Sequence, residues 1–516
     1  MFHVERLKKL ITAAVALCTA AAAASAQQQN NEQKVVALPC SEIQYPGLNL
    51  PLATANSEVL SSIEKGFVDL ILGWEEHACI HFAHAIEAGD GTEDDSLMAY
   101  CGMLLAANSA GAKDANRMAL SDKIDSLFST PVEQFYLAAL LKLAEGDIDG
   151  AASDFEKRAL QYKRDVFSAA WAVMLLHCAE KGYDSQGSPL PYQKRALDLA
   201  SQFYQQHPQN ALACYLRGYV EEGAPKVSEE ALGASLKAVE LCSGHPMPSL
   251  LCGHLLYRSE RVDEAVKHLH NAVQFTDLHS INAGVSSTKL IASLYEVTAL
   301  WSVRKENEAM QLLKTICKLN TSDEKTSAAT TILKNWEARS FALRCLVMRA
   351  TPPTVKEIRE ASSMLVDDKS VDENDPVCLL RDCLRASLYT RARMAQNDVI
   401  NAGKSLKLAQ DSLRKFEESK ADVMAKGSAY ITPWLRAHEA CRLAVLAAGA
   451  AVTSDNSEES KKLSSALVNP STMLMPPVLP VQYGPEPEKK SVQKGSSTTK
   501  SKSTGNTQKR KNKKKR

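Results

Sequence analysis

The sequence predicts an all-α solenoid of stacked antiparallel helix pairs, and three observations carry that reading. Gly and Pro together make up 43 of 516 residues, and long Ala- and Leu-rich stretches are almost free of Pro, which favours helix over sheet. Apolar residues recur three and four apart, as in Leu60, Ile63, Phe67, Leu70 and Ile71 after the capping pair Asn56-Ser57. A small-residue motif then returns along the chain: Ala78-x3-Phe82-x2-Ala85, Ala151-x3-Phe155, Ala196-x3-Ala200-x2-Phe203, Ala231-x3-Ser235-x2-Ala238, Ala265-x3-Leu269-x2-Ala272 and Ala309-x3-Leu313-x2-Ile316.

Two short helices cannot bury their apolar faces alone, so such a unit must stack on copies of itself. Twelve residues before the first Ala of several units stands a small residue, Gly66, Ala139 or Gly253, and Gly218 stands thirteen before Ala231. A small residue lets two helices approach closely, while the large residue one turn after each Ala fills the space beside them. Pro208, twelve after Ala196, marks where that second helix stops. This pattern resembles the tetratricopeptide repeat (TPR), a helix pair of about 34 residues. The segment His245 to Val273 carries it best, and Gly66 to Ala85 nearly as well. Gly73 to Ala78 and Met98-Ala99-x-x-Gly102 are also similar to a subgroup of exported bacterial TPR proteins of unknown function. The resemblance implies a right-handed superhelix with a concave binding face.

The elements follow in order. Met1 to Lys9 is basic, Leu10 to Ala24 is apolar, and Ala24-Ser25-Ala26 precedes Gln27: the layout of a secretory signal, residues 1–26, cleaved near Ala26. Its apolar run of 15 residues falls short of a spanning helix, which needs roughly 20. Residues 27–55, punctuated by Pro39, Pro46 and Pro51, read as an extended lead-in. TPR-like repeats cover 57–320, with polar insertions at Gly182 to Pro191 and His279 to Ser286. Residues 321–468 read as an irregular continuation, with units starting at Thr351-Pro352-Pro353, Asp375-Pro376 and Thr432-Pro433. Residues 469–488 are Pro-rich and extended, and 489–516 form a disordered basic tail.

A formal net charge of +1 hides a division of labour. The tail from Lys489 holds twelve basic residues and no acidic one, and the first ten residues carry +2, which leaves −13 on residues 11 to 488. With 45% hydrophobic and 23% charged residues, wholesale disorder and a polytopic membrane protein are excluded. Loss of Cys18 with the signal leaves 12 of 13 Cys. The absence of Cys-x-x-Cys and their placement in apolar helical stretches predict mostly reduced core thiols, with a disulfide framework as the alternative.

No phosphate-binding loop, nucleophile elbow or His-Glu-x-x-His occurs, so no enzyme, cofactor or metal is expected. His77, His81 and His84 share one side of a helix. Two His at i and i+4 suit a metal, but the only nearby further ligands in sequence are Glu75 and Asp90, so packing or surface roles are expected and a metal-binding protein or enzyme is the rival. In the resemblance, first-helix positions line the concave face. These are Leu212, Tyr215, Tyr219 and Glu222 in one repeat, and Met247, Leu250, His254, Tyr257 and Arg258 in the next. Of these, Tyr215, Tyr219, Glu222, His254, Tyr257 and Arg258 are the expected contacts to a protein or peptide partner, the alternative being that the aromatics pack between repeats. Lys509, Arg510, Lys511, Lys513, Lys514, Lys515 and Arg516 would attract an anionic envelope component, the alternatives being contact with the chain's own acidic body or a solubilising end without a partner. Without interleaved aromatics they specify no particular nucleic acid, and a nucleic-acid-associated protein is a second rival. The expected whole is an exported, periplasmic or secreted scaffold with no transmembrane segment in its mature form.

Overall fold

The computed structural model describes residues 43–453, apart from 91, 108–109, 125, 128, 180–181, 185, 280–286, 319–338, 350, 364–375 and 422–427. The predicted signal, most of the lead-in, the Pro-rich segment and the basic tail lie outside the described residues. Among the described residues there are nineteen α-helices, and the only β feature is one bridge, Tyr183 to Pro189, inside the predicted polar insertion.

The first helix pair shows how the repeat is built. Asn56 accepts hydrogen bonds from the backbone N–H groups of Glu58 and Val59 and so starts α1, Ser57–Leu72. Gly73, at φ +88°, takes the left-handed conformation that ends it. Helix α2, Glu75–Gly89, then packs back along α1. A Cβ placed on Gly66 would lie 2.7 Å from the Phe82 ring, and one on Gly102 would also collide with that ring. Gly102 lies on α3, Leu97–Ala106, so one phenyl fills the notch of two successive first helices.

The same packing recurs. Helix α4 is Ala110–Ile124; then come α5, Pro131–Ala144, with a Thr130/Glu133 capping box, and α6, Ile148–Gln161. Helices α7, Val166–Ala179, and α8, Pro191–Gln206, follow, then α9, Ala211–Tyr219, with α10, Glu229–Leu241. Helix α11, Pro246–Arg258, pairs with α12, Val262–His279, and α13, Ser287–Ser302, with α14, Glu306–Lys318. Every Ala, large and small residue of the six predicted second-helix motifs is buried. A Cβ on Gly253 would lie 2.6 Å from Leu269, and one on Gly218 would strike Ser235 Oγ. The expected approach of a small first-helix residue to the residue one turn past the motif Ala is therefore present in these pairs.

The chain continues through α15, Arg339–Met348, α16, Val355–Ser363, α17, Pro376–Ala395, α18, Val399–Glu418, and α19, Ser428–Thr453. The unit start at Asp375-Pro376 coincides with the first residue of α17. Thr432-Pro433 does not start a unit: α19 begins at Ser428 and runs through Pro433. Pro433 is the sixth helical residue, where its missing N–H forfeits a single hydrogen bond near the helix start.

A feature with no counterpart in the repeat motif is closure. Helix α1 touches α7 and α9 as well as its neighbours. Phe67 packs edge-on against Phe167 at 5.1 Å and against Trp171 at 6.5 Å. The Tyr215 hydroxyl donates to the carbonyl of Leu72 at 3.2 Å, and Gln44 N–H donates to the carbonyl of Ser243 at 2.9 Å. The inner sides of these first helices thus form core with α1. No helix among the described residues is long and apolar enough to cross a membrane.

Candidate functional site

The described residues that best combine burial with chemistry lie where the lead-in, the first helix pair and the turn before α11 converge. Asp69 on α1 is fully buried. The Trp74 N–H donates to the Asp69 carbonyl at 2.7 Å, a contact that folds the α1–α2 turn and brings α2 over the carboxylate. There His77 Nδ1 lies 2.8 Å from Asp69 Oδ2, and His81 Nε2 lies 3.6 Å from the same oxygen. The Tyr45 hydroxyl from the lead-in reaches all three: 3.4 Å to Asp69 Oδ2, 3.2 Å to His77 Nδ1 and 3.2 Å to His81 Nε2.

The other carboxylate oxygen is held from far along the chain, since His245 Nε2 lies 2.9 Å from Asp69 Oδ1. His245 Nδ1 accepts the backbone N–H of Met247 at 3.2 Å as the N-cap of α11, so the ring proton sits on Nε2 and points at Asp69. The Trp74 indole stacks on His77 at 4.1 Å and meets His245 edge-on at 5.1 Å.

Electrostatics follow from this packing. Burial alone would raise the Asp69 carboxyl, but hydrogen bonds from His245 and His77 outweigh it and bring the pKa down to about 2. Burial lowers His81 to about 4 despite the opposing pull of Asp69, and it lowers His245 in the same way. Burial, then the Asp69 charge, raises the Tyr45 phenol, which stays protonated. Asp69, His77 and His81 each offer a ligand atom, all within 4.8 Å of one another.

The sequence placed His77, His81 and His84 together, and the structure keeps only the first two. His84 turns to Ser62 Oγ at 3.1 Å and Glu58 Oε1 at 3.5 Å. Glu75 and Asp90, the further ligands considered from sequence, are not members of the cluster; Asp69 and Tyr45 are. An acidic residue inside the apolar run Phe67-Val68-Asp69-Leu70-Ile71 was the one local signal for it.

The expected partner-contact residues stand elsewhere. Tyr215 and Tyr219 are each 1% exposed, stacked on one another at 5.7 Å, and Tyr219 meets His177 edge-on at 4.8 Å. Neither ring offers area to a partner, because closure onto α1 has turned this part of the concave face into core. Glu222 is buried too. Arg258 donates to the backbone carbonyls of Glu221, Glu222 and Ala224, and so ties the end of α11 to the segment after α9. The Tyr257 hydroxyl lies 3.2 Å from Ser302 Oγ, and His254 meets Tyr295 edge-on at 4.8 Å. Tyr215 and Tyr219 thus pack in the interior, whereas His254, Tyr257 and Arg258 are half-buried. Ten cysteines are free thiols, among them Cys79 and Cys178, which are half-buried, and eight that are buried; burial raises the Cys101 and Cys252 thiols to about 12.

No protein-family model matches the chain, and no curated protein does. Among solved structures, the chain is similar to the TPR domain of P58(IPK), at 16% identity and a TM-score of 0.18, covering 72% of this chain and all of that one. The repeat assignment rests on the glycine notches and buried motif residues rather than on that likeness.

Proposed function

We propose that the protein is a scaffold that holds a protein or peptide partner, that it works outside the cytoplasm after cleavage near Ala26, and that its Lys509 to Arg516 tail tethers it to an anionic envelope component. Stacked helix pairs present long surfaces without needing a catalytic centre, which supports binding over catalysis. The observation that carries the reading is the distribution of exposed apolar side chains. Of the nine large hydrophobic residues exposed among the described residues, five lie on α18 and α19: Val399, Ile400, Leu408, Leu435 and Leu446. Ile400 is the most open at 76%. The first repeats have spent their inner face on closure, whereas α18 and α19, the last two described helices, together hold five exposed apolar side chains, and it is a patch of such residues that would suit a partner.

The test is a crosslinking pull-down from the exported fraction, with the full chain, a chain lacking residues 489–516, and an Ile400→Asp/Leu408→Asp double variant. The reading expects a reproducible partner that is lost with the double variant, and a second, salt-sensitive set lost with the tail. Identical recoveries from all three proteins would contradict it. Recovery of the full-length chain only from the cytoplasm would remove the export element.

A further inference from the structure

We propose that Tyr45, Asp69, His77 and His81 form a four-coordinate site for a transition-metal dication, zinc(II) being the ion that fits the donor set best. This goes beyond the scaffold reading and does not depend on it.

The geometry is the argument. A tetrahedral zinc ion bonds nitrogen and oxygen at about 2.0–2.2 Å, which sets its ligand atoms roughly 3.3–3.6 Å apart. Around the cluster, Tyr45 Oη lies 3.2 Å from His77 Nδ1, 3.2 Å from His81 Nε2 and 3.4 Å from Asp69 Oδ2. Asp69 Oδ2 lies 2.8 Å from His77 Nδ1 and 3.6 Å from His81 Nε2. One ligand atom from each of Asp69, His77 and His81 lies within 4.8 Å of the others, which bounds the remaining edge between the two imidazoles. Five of the six edges, from 2.8 to 3.6 Å, are thus close to those of a zinc tetrahedron, and the four donor atoms come from three separate elements.

The chemistry of the corners narrows the ion. Two imidazoles with a carboxylate and a phenol oxygen suit zinc or cobalt, whereas calcium and magnesium take all-oxygen shells. The surroundings are those that metal ligands need. His245 holds the second oxygen of Asp69 at 2.9 Å, which leaves Oδ2 for the ion, and the Trp74 indole fixes the plane of His77. His77 and His81 stand one turn apart on α2, so one helix face delivers both. With four protein donors and no open corner, the site is structural: the ion would bind the lead-in to the first helix pair and, through Asp69 and His245, to the turn before α11.

The experiment uses the full chain, stripped with a chelator that is then removed, and titrated with Zn²⁺ or Co²⁺. Bound metal is counted by elemental analysis, and the Co²⁺ form is read by its visible spectrum. We expect one ion per chain, the intense visible bands of tetrahedral Co²⁺, and their loss on adding Zn²⁺. His81→Ala should weaken binding more than about 100-fold, and His245→Gln about 10–100-fold through loss of the outer contact. Tyr45→Phe should keep one ion at reduced affinity, and His84→Ala should bind like the parent. Far-ultraviolet circular dichroism of each variant separates lost ligands from lost fold. No stoichiometric uptake by the folded parent, a weak octahedral Co²⁺ spectrum, or equal uptake by folded His81→Ala would overturn the proposal.

Discussion

Asp69 and His245 are 176 residues apart in sequence and joined by a 2.9 Å hydrogen bond in the interior. That contact fixes how far the chain curls before it meets itself. A stack of helix pairs in which each pair touches only its neighbours would leave its inner face open along the whole length. Here the first pair closes against the helices near residues 167, 215 and 245, so the inner face of this half is core.

The glycine notches should show a sharp size dependence. Gly66→Ala puts a methyl 2.7 Å from the Phe82 ring, where the ring is also wedged against Gly102. Gly66→Ala should destabilise by about 1–3 kcal/mol through overpacking, and Phe82→Ala by about 3–5 kcal/mol through the cavity it leaves. Combining Gly66→Ala with Phe82→Leu should recover part of the loss, because the two positions share one space. Urea unfolding midpoints measure all three. A Gly66→Ala protein as stable as the parent would show that the notch is not tight.

Tyr215 should behave as an interior residue. Its hydroxyl donates to the Leu72 carbonyl across the closure, so Tyr215→Phe should cost about 0.5–1.5 kcal/mol for the lost hydrogen bond while leaving partner recovery unchanged. A Tyr215→Phe variant of normal stability that no longer recovers the partner would return this ring to the binding surface.

Acid should weaken the structure through histidines that are wholly or largely shielded from solvent at their ring nitrogens. Burial holds His254 down to about 3, with the nearby Arg258 adding to the effect, against an ordinary value of 6.5. The unfolded chain therefore takes up a proton that the folded chain refuses, so this contribution is whole above pH 6.5 and fades as the pH falls from 6.5 toward 3. His81, at about 4, acts with the same sign. Thermal midpoints measured from pH 7.5 to 4.5 should fall less steeply in His254→Gln than in the parent. Parallel curves would mean that the folded state accepts the His254 proton.

The repeat was legible because its signal is local. Ala265, Leu269 and Ala272 lie within one helix, and their partner Gly253 is only a turn and a helix away, so spacing alone places them in contact. Closure was not legible, because no spacing rule links Asp69 to His245 or Tyr215 to Leu72 across 176 and 143 residues. The expected contact positions suffered from this gap: Tyr215 and Tyr219 occupy the inner helices as expected, but the surface they would have lined is filled by α1. The histidine cluster was half legible. The i, i+4 pair was evident on α2, while Tyr45 and Asp69 join it only once the lead-in and the α1–α2 turn are folded.

Closure of the first repeats onto α1 is the central structural claim, and a double-mutant cycle between Asp69→Asn and His245→Gln tests it most directly. Unfolding free energies are measured by urea for the parent, each single variant and the double variant, all in the presence of a chelator so that no metal contributes. A direct interior hydrogen bond predicts a coupling of about 1–3 kcal/mol, with the double variant less destabilised than the sum of the singles. Additivity to within about 0.5 kcal/mol would place the two residues out of contact and contradict the closed arrangement.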